Sequence, residues 1–147
     1  MATVIPVESL RRNPSSVLFE GRDEVALSLF VTEFARGDGP ALHTHPYPEV
    51  FLVDNGTAAF EVGDEHLLVG AGHVVVVPAQ TPHRFTGAGD AGARVLSMHP
   101  RGRPEQTEVS DGVEALKERQ AKAYSNSKVR AATCVTTAPF RRRASTS

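Results

Sequence analysis

The side chains best suited to metal or acid–base chemistry lie together in the middle of the chain. All six histidines fall between residues 43 and 99, and histidine is the commonest metal ligand in proteins and the usual proton carrier near neutral pH. The segment 43–49 reads His-Thr-His-Pro-Tyr-Pro-Glu, and His83 follows further along the chain. Three imidazoles and one carboxylate form a donor set that suits Zn, Fe(II), Mn, Ni or Co.

The spacing of these residues predicts that their donor atoms converge. Residues two apart on a strand face the same side, so His43 and His45 share a face, and Glu49 has the same parity if the segment stays extended. The intervening prolines favour an extended backbone. His83 begins the next apolar segment after a turn, where a neighbouring strand can present it to the others. Four protein ligands on a metal that accepts five or six leave one or two positions open.

Short apolar segments separated by Gly and Pro must position these ligands. They predict strands at 25–34, 50–53, 57–62, 66–69, 74–77, 83–86 and 94–99. Asn55-Gly56 predicts a hairpin between the second and third of these, and the first twenty residues read as an irregular lead-in. The pattern shows no alternation of strand and helix, so it predicts an all-β sandwich or barrel.

The chain changes character after Pro104. Asp111 is a plausible N-cap for a helix over about 112–124, and a tail rich in Ser, Thr, Ala and Arg follows it. We therefore divide the chain into an N-terminal arm (1–24), a β-barrel (25–104) and a C-terminal helix with a basic tail (105–147). Residues 1–116 hold 8 Lys/Arg and 16 Asp/Glu, whereas 117–147 hold 8 Lys/Arg and one acid.

The composition excludes several classes of protein. With 16 Lys+Arg against 17 Asp+Glu among 147 residues, the chain is not a globally basic nucleic-acid binder, and we expect no nucleic-acid partner. No apolar run approaches the ~20 residues that cross a bilayer, and the first ten residues lack the apolar core of a signal peptide. A single cysteine, Cys134, excludes a disulfide framework. We therefore expect a cytoplasmic protein with no membrane partner.

The motifs resemble those of the cupin superfamily, and in particular its small single-domain conserved barrels. The segment Gly37-x5-His43-x-His45-x3-Glu49-x6-Gly56 is similar to the first cupin motif, and Gly72, Pro78 and His83 match the second. Gln80 and Gly87 depart from the second motif at positions that are not ligands. The resemblance implies a double-stranded β-helix (jelly-roll) barrel, a homodimer, and one divalent metal ion (Fe, Zn, Mn or Ni) bound by His43, His45, Glu49 and His83.

Other side chains are candidates to contact a substrate. Glu49 is expected to act first as a ligand, and as the catalytic group if it loosens to serve as a base. The residues expected to bind substrate are Tyr47, Phe51, Phe60, Gln80 and Phe85. Phe30 and Met98 are further candidates for apolar walls around the metal. His66 and His73 are expected to be solvated, and a role for His99 at the barrel mouth stays open.

These expectations leave more than one function open. The first is a small metalloenzyme that acts on a small organic molecule, with dioxygenase chemistry if the metal is iron and isomerase, lyase or hydrolytic chemistry if it is Zn, Mn or Ni. The alternative is a non-catalytic barrel that binds or senses a small molecule. A third hypothesis is a cyclase or epimerase of a biosynthetic cluster.

Overall fold

The computed structural model describes residues 2–109, and this part of the chain is built almost entirely from strands. A short 3₁₀ helix, Val7–Leu10, precedes them. The strands are β1 (Arg11–Asn13), β2 (Ser16–Glu20), β3 (Ser28–Phe34), β4 (His43–Thr44), β5 (Glu49–Val62), β6 (Glu65–Gly70), β7 (His73–Val77), β8 (His83–His99) and β9 (Thr107–Glu108). The expected all-β fold is confirmed.

Two long strands run through both layers of the barrel. In layer 1, residues 49–53 of β5 lie between β7 and residues 95–98 of β8, which pairs in turn with β3, and β3 with β2. In layer 2, residues 57–62 of β5 lie between β6 and residues 83–88 of β8, and His83 pairs with His43 on β4. All of these strand pairs are antiparallel. The sheet therefore curls on itself because β5 and β8 pass from one layer to the other.

An aromatic and aliphatic core fills the space between the layers. Alternate residues of β5 and β8 point inward, as a two-residue period requires. The Phe51 ring lies 5.3 Å from that of Phe60 and 4.9 Å from that of Phe85, so side chains from both layers meet. The buried members of this core are Phe51, Val53, Ala58, Phe60, Val77, Phe85, Ala93 and Val95.

The hairpin expected at Asn55-Gly56 is wrong. Val53 pairs with His73 and Val95, whereas Thr57 pairs with Gly70 and Ala88, so the two halves of β5 do not pair with each other. Gly56 has φ +73° and lies at a register shift where β5 changes layer. The glycine that would permit a hairpin turn here permits a bulged corner instead, because β8 supplies partners for both halves of the strand.

Other elements differ from the sequence-based expectations in extent. Residues 16–20 were expected to be irregular but form β2, which pairs with β3 over five residues. The expected strands 83–86 and 94–99 are parts of one strand, β8. The expected C-terminal helix, the basic tail and Cys134 lie outside the described residues. Within residues 2–109 no helix is long and apolar enough to cross a membrane, and the cytoplasmic location stays a prediction.

The outer faces of the two layers differ in chemistry. The outer face of layer 2 is mixed, with Arg84 bonded to Glu61 at 2.8 Å and Leu68 exposed nearby. The outer face of layer 1 carries two rows of apolar side chains across five strands. They are Val17, Val31, Leu96, Leu52 and Val74 in one row, and Phe19, Leu29, Met98, Val50 and Val76 in the other. Met98 was expected to line the metal pocket, but its register with Leu29 and Val50 places it on this outer face.

Gly56→Ala is expected to destabilise the barrel by about 3 kcal/mol. A Cβ at this position would clash with the carbonyl oxygen of Gly92, and φ is positive there. Gly70→Ala is the matched control, because nothing lies within 4 Å of its added Cβ. Chemical denaturation of both variants measures the free energy of unfolding, and equal losses in the two would contradict the proposed role of the corner.

Candidate metal centre

Four predicted ligands converge at one end of the barrel. His43 lies on β4, His45 follows it, Glu49 begins β5, and His83 begins β8 opposite His43. One donor atom from each residue lies within 4.8 Å of every other, and all four side chains are buried. The sequence-based prediction that these residues form one group is confirmed, and the group could hold a metal ion.

Backbone carbonyls orient all three imidazole rings. Nδ1 of His43 lies 2.7 Å from the carbonyl oxygen of Ala41, and Nδ1 of His83 lies 2.8 Å from that of Thr81. Nδ1 of His45 bonds to the carbonyl of Glu105. A carbonyl can only accept, so each Nδ1 carries the proton and donates it. In a neutral ring Nε2 is then an unprotonated electron-pair donor, which is the form that binds a metal.

The contacts inside the cluster fit a cation. Nε2 of His45 and Nε2 of His83 each lie 2.9 Å from Oε2 of Glu49, about the separation of neighbouring donors on a cation with bonds of about 2.1 Å. In neutral rings these atoms would meet the carboxylate lone pair to lone pair, so without a cation a proton must lie between a ring and the carboxylate. Nε2 of His45 is also buried without a hydrogen-bond partner. A divalent cation would satisfy all of these atoms together.

The electrostatics of the metal-free cluster keep Glu49 ionised. Burial raises the pKa of Glu49, but its contacts with His45 and His83 outweigh burial and hold the pKa at about 2. Burial and the neighbouring His83 and His45 lower the pKa of His43, against the opposing effect of the Ala41 carbonyl. Burial also acts to lower the pKa of His45, but Glu49 and the Glu105 carbonyl raise it overall. Glu49 is therefore an anionic ligand at neutral pH.

A fifth buried group, His99, adjoins the cluster. Its Nε2 lies 3.2 Å from Oε1 of Glu49, the oxygen that faces away from the other two contacts. Burial and the nearby imidazoles lower its pKa to about 4, although Glu49 opposes this. The sequence left His99 open because it lies at the far end of β8, and only the pairing of β8 with β5 brings it to Glu49. Its inward parity with Ser97 and Val95 was the available signal.

The structure places the expected substrate contacts unequally. Of the three phenylalanines, Phe51 lies closest to the candidate ligands, with its ring 5.9 Å from that of His83, while Phe60 and Phe85 belong to the core beneath it. Tyr47 is buried, and its hydroxyl bonds to the backbone of Glu105. The side chain of Gln80 is exposed, and its backbone N–H donates to the backbone carbonyl of His45. Substrate contact by these residues stays a prediction. Phe30 packs edge-on against His99 at 5.5 Å.

Fold and site together define a class of protein: a double-stranded β-helix barrel with a His/His/Glu/His centre at one end. Comparison with known families gives this class its name, because residues 30–99 match the cupin domain family, Cupin_2. Residues 30–99 therefore form a cupin domain. A search of the curated proteins found no match.

Solved structures with the same fold include cupins of several kinds. A cupin 2 conserved barrel protein from Rhodopseudomonas palustris is 19% identical, with a TM-score of 0.60 and 76% of each chain covered. An oxalate oxidase is 16% identical, with a TM-score of 0.57 over 75% of this chain and 68% of its own. A variant of oxalate decarboxylase from Bacillus subtilis is 16% identical, with a TM-score of 0.59 over 79% of this chain and 34% of its own. At these identities the likeness establishes the fold.

The metal-free protein is expected to lose stability as the pH falls below 6.5, in part through His99. The folded pKa of His99 is about 4, below the unfolded value of 6.5, so the unfolded state takes up the proton first and is favoured between those pH values. The wild type should lose about 1–2 kcal/mol more than His99→Gln between pH 7 and 5. Denaturation of chelator-treated protein at several pH values measures this difference. His66→Gln removes an exposed histidine as the control, and parallel pH profiles for the wild type and His99→Gln would refute the expectation.

Proposed function

We propose that this cupin is a metalloenzyme that acts on a small organic molecule, with one divalent ion held by His43, His45, Glu49 and His83. The observation that carries the proposal is the convergence of four buried donors whose imidazoles are all held with Nε2 inward. A fixed donor set of this kind leaves coordination positions for a substrate on a metal that accepts five or six ligands.

The metal would supply Lewis-acid chemistry, and reaction with oxygen if it is iron. The protein contributes a dry wall at Phe51 and a carboxylate, Glu49, that stays ionised at neutral pH. His99 is neutral at pH 7, because its pKa is about 4, and it faces the second oxygen of Glu49. It therefore lies against that carboxylate without adding a competing positive charge.

The choice between oxygenase and isomerase or lyase chemistry depends on the metal, because three imidazoles and a carboxylate accept several divalent ions. We favour an oxygen-dependent reaction with iron and keep isomerase or lyase chemistry for Zn, Mn or Ni. Similarity in fold to an oxalate oxidase and an oxalate decarboxylase makes small carboxylates reasonable first substrates to test.

A non-catalytic binding or sensor barrel is the second candidate. The observation that favours it is the depth of the site: each of the four ligand residues is at most 4% exposed. In the described residues the groups beside the ligands that could move a proton are few, with His99 the nearest to Glu49. Tight ligand binding without turnover would fit this arrangement.

We further propose that the chain forms a homodimer through the outer apolar face of layer 1. Val74 and Val76 are 59% and 61% exposed on that face, and contiguous apolar patches of this kind mark interaction sites. Its rim carries both signs of charge, with Arg94 at 2.6 Å from Asp54 and 3.9 Å from Glu33. In a two-fold dimer the same surface meets its own copy, so an apolar centre with a rim of both charges is self-complementary.

The enzyme proposal is tested by metal analysis followed by turnover assays. Protein purified without chelators should contain close to one divalent ion per chain. Oxygen uptake with diketones, catechols, flavonols and oxalate, and product analysis for isomerisation or lyase reactions, then test catalysis. His43→Ala should lose both the metal and the activity, whereas His73→Ala, at an exposed histidine, should keep both. Tight ligand binding with no turnover under any of these metals would favour the second candidate instead.

The dimer proposal is tested by the oligomeric state in solution. Val76→Glu places a charge in the middle of the apolar face, and we expect it to convert the dimer to a monomer in sedimentation velocity experiments. Leu68→Glu is the matched control, because Leu68 is similarly exposed at 57% but lies on layer 2. A monomeric wild type, whether this face is bare or covered by residues 110–147 of the same chain, would overturn the proposal.

A further inference from the structure

The segment after β8 crosses over the metal ligands and is fastened at several points. We name residues 101–109 the strap. Its β9 residues pair with β4, Glu108 opposite His43 and Thr107 opposite Thr44, and the N–H of Val109 bonds to the carbonyl of Leu42 at 3.0 Å. At its other end, the N–H of Arg22 donates to the carbonyl of Gly102 at 2.8 Å. The strap is thus attached both to the ligand strand and to the turn after β2.

The middle of the strap contacts His45 through its backbone. The carbonyl of Glu105 accepts the Nδ1–H of His45, so a group on the strap decides which nitrogen of that ring faces the other three candidate ligands. The Glu105 side chain is exposed and takes no part in this bond. The ring of His45 is therefore oriented by a peptide group 60 residues away in sequence.

Tyr47 holds that peptide group in place. Its hydroxyl donates to the Glu105 carbonyl at 3.0 Å and accepts from the Glu105 N–H at 2.8 Å. Its ring stacks on His45 at 5.2 Å with an interplanar angle of 14°, and the guanidinium of Arg101 lies 5.4 Å from the ring centre. One side chain thus supports both the ring of His45 and the acceptor that sets the tautomer of that ring.

We propose that strap docking and metal binding are coupled, with Tyr47 as the positioning residue that transmits the coupling. The docked strap holds His45 ready to bind, and a bound metal in turn holds His45 against the Glu105 carbonyl. Coupling of two equilibria is reciprocal, so the factor by which docking strengthens metal binding is the factor by which metal strengthens docking. The proposal rests on the metal site of the proposed function but not on catalysis.

The first test uses the wild-type protein alone. Hydrogen exchange of the strap amides, among them the N–H groups of Glu105 and Val109, is measured in chelator-treated protein and after addition of Zn²⁺. We expect exchange of these amides to slow about tenfold or more on metal binding. Amides of β6 serve as the internal reference, because β6 pairs with residues 57–62 of β5, which include none of the four candidate ligands. Strap exchange that changes no more than that of β6 would overturn the proposal.

The second test compares Zn²⁺ affinity among variants by competition with a chelator. Tyr47→Phe keeps the ring stack but loses both hydroxyl bonds, and we expect about a tenfold weaker affinity. Gly102→Ala should weaken binding in the same direction from the far end of the strap, because a Cβ there would clash with the backbone of Arg22. Arg103→Gln is the control and should stay within twofold, because Arg103 is exposed on the strap and supplies neither the carbonyl bonded to His45 nor the cation over the Tyr47 ring.

The outcomes separate this proposal from the enzyme proposal. Affinities of Tyr47→Phe and Gly102→Ala within twofold of the wild type would overturn the coupling, whatever the activity of the protein. A protein that shows the coupling but no turnover would leave the strap proposal standing and favour a binding function. If Tyr47→Phe fails to fold, the wild-type exchange experiment and Gly102→Ala still decide the question.

Discussion

The arrangement of the site depends on one constraint: three buried imidazoles each donate Nδ1–H to a backbone carbonyl. Those bonds to Ala41, Thr81 and Glu105 leave all three Nε2 atoms unprotonated in neutral rings, and the Nε2 atoms of His45 and His83 lie against the Glu49 carboxylate. Neutral rings and an ionised carboxylate cannot satisfy one another in this geometry without a shared positive charge. A divalent cation would supply that charge, so the donor set by itself marks a cluster that could hold a metal ion.

The fold brings those carbonyls and rings together. β5 and β8 each pass through both layers, so the end of β8 that carries His83 and the end that carries His99 both meet β5. The layer 1 part of β8 places His99 against Glu49, and its layer 2 part places His83 opposite His43. A strand that crosses between layers thus assembles one site from distant parts of the chain. Its corners are costly to alter because backbones approach closely there.

The two faces of layer 1 differ in what they contact. The inner face carries the core and the polar end at His99, while the outer face presents two apolar rows that the described residues leave open to solvent at Val74 and Val76. Layer 2 carries polar pairs such as Arg84 with Glu61 on its outer surface. The proposed metal chemistry at one end of the barrel and the proposed association through one side of it therefore use separate surfaces, so that each can be altered without the other.

The sequence by itself determined the candidate ligands and the fold class. His43, His45, Glu49 and His83 were identifiable because strand parity and donor type are local properties. The hairpin at Asn55-Gly56 was wrong because Gly56 permits either a turn or a bulged corner, and only the pairing of β5 with β8 selects between them. The same pairing turns Met98 outward and brings His99 to Glu49, and a contact with the later strap brings the Glu105 carbonyl to His45. Those positions depend on register and on contacts between residues far apart in the chain, which no local pattern encodes.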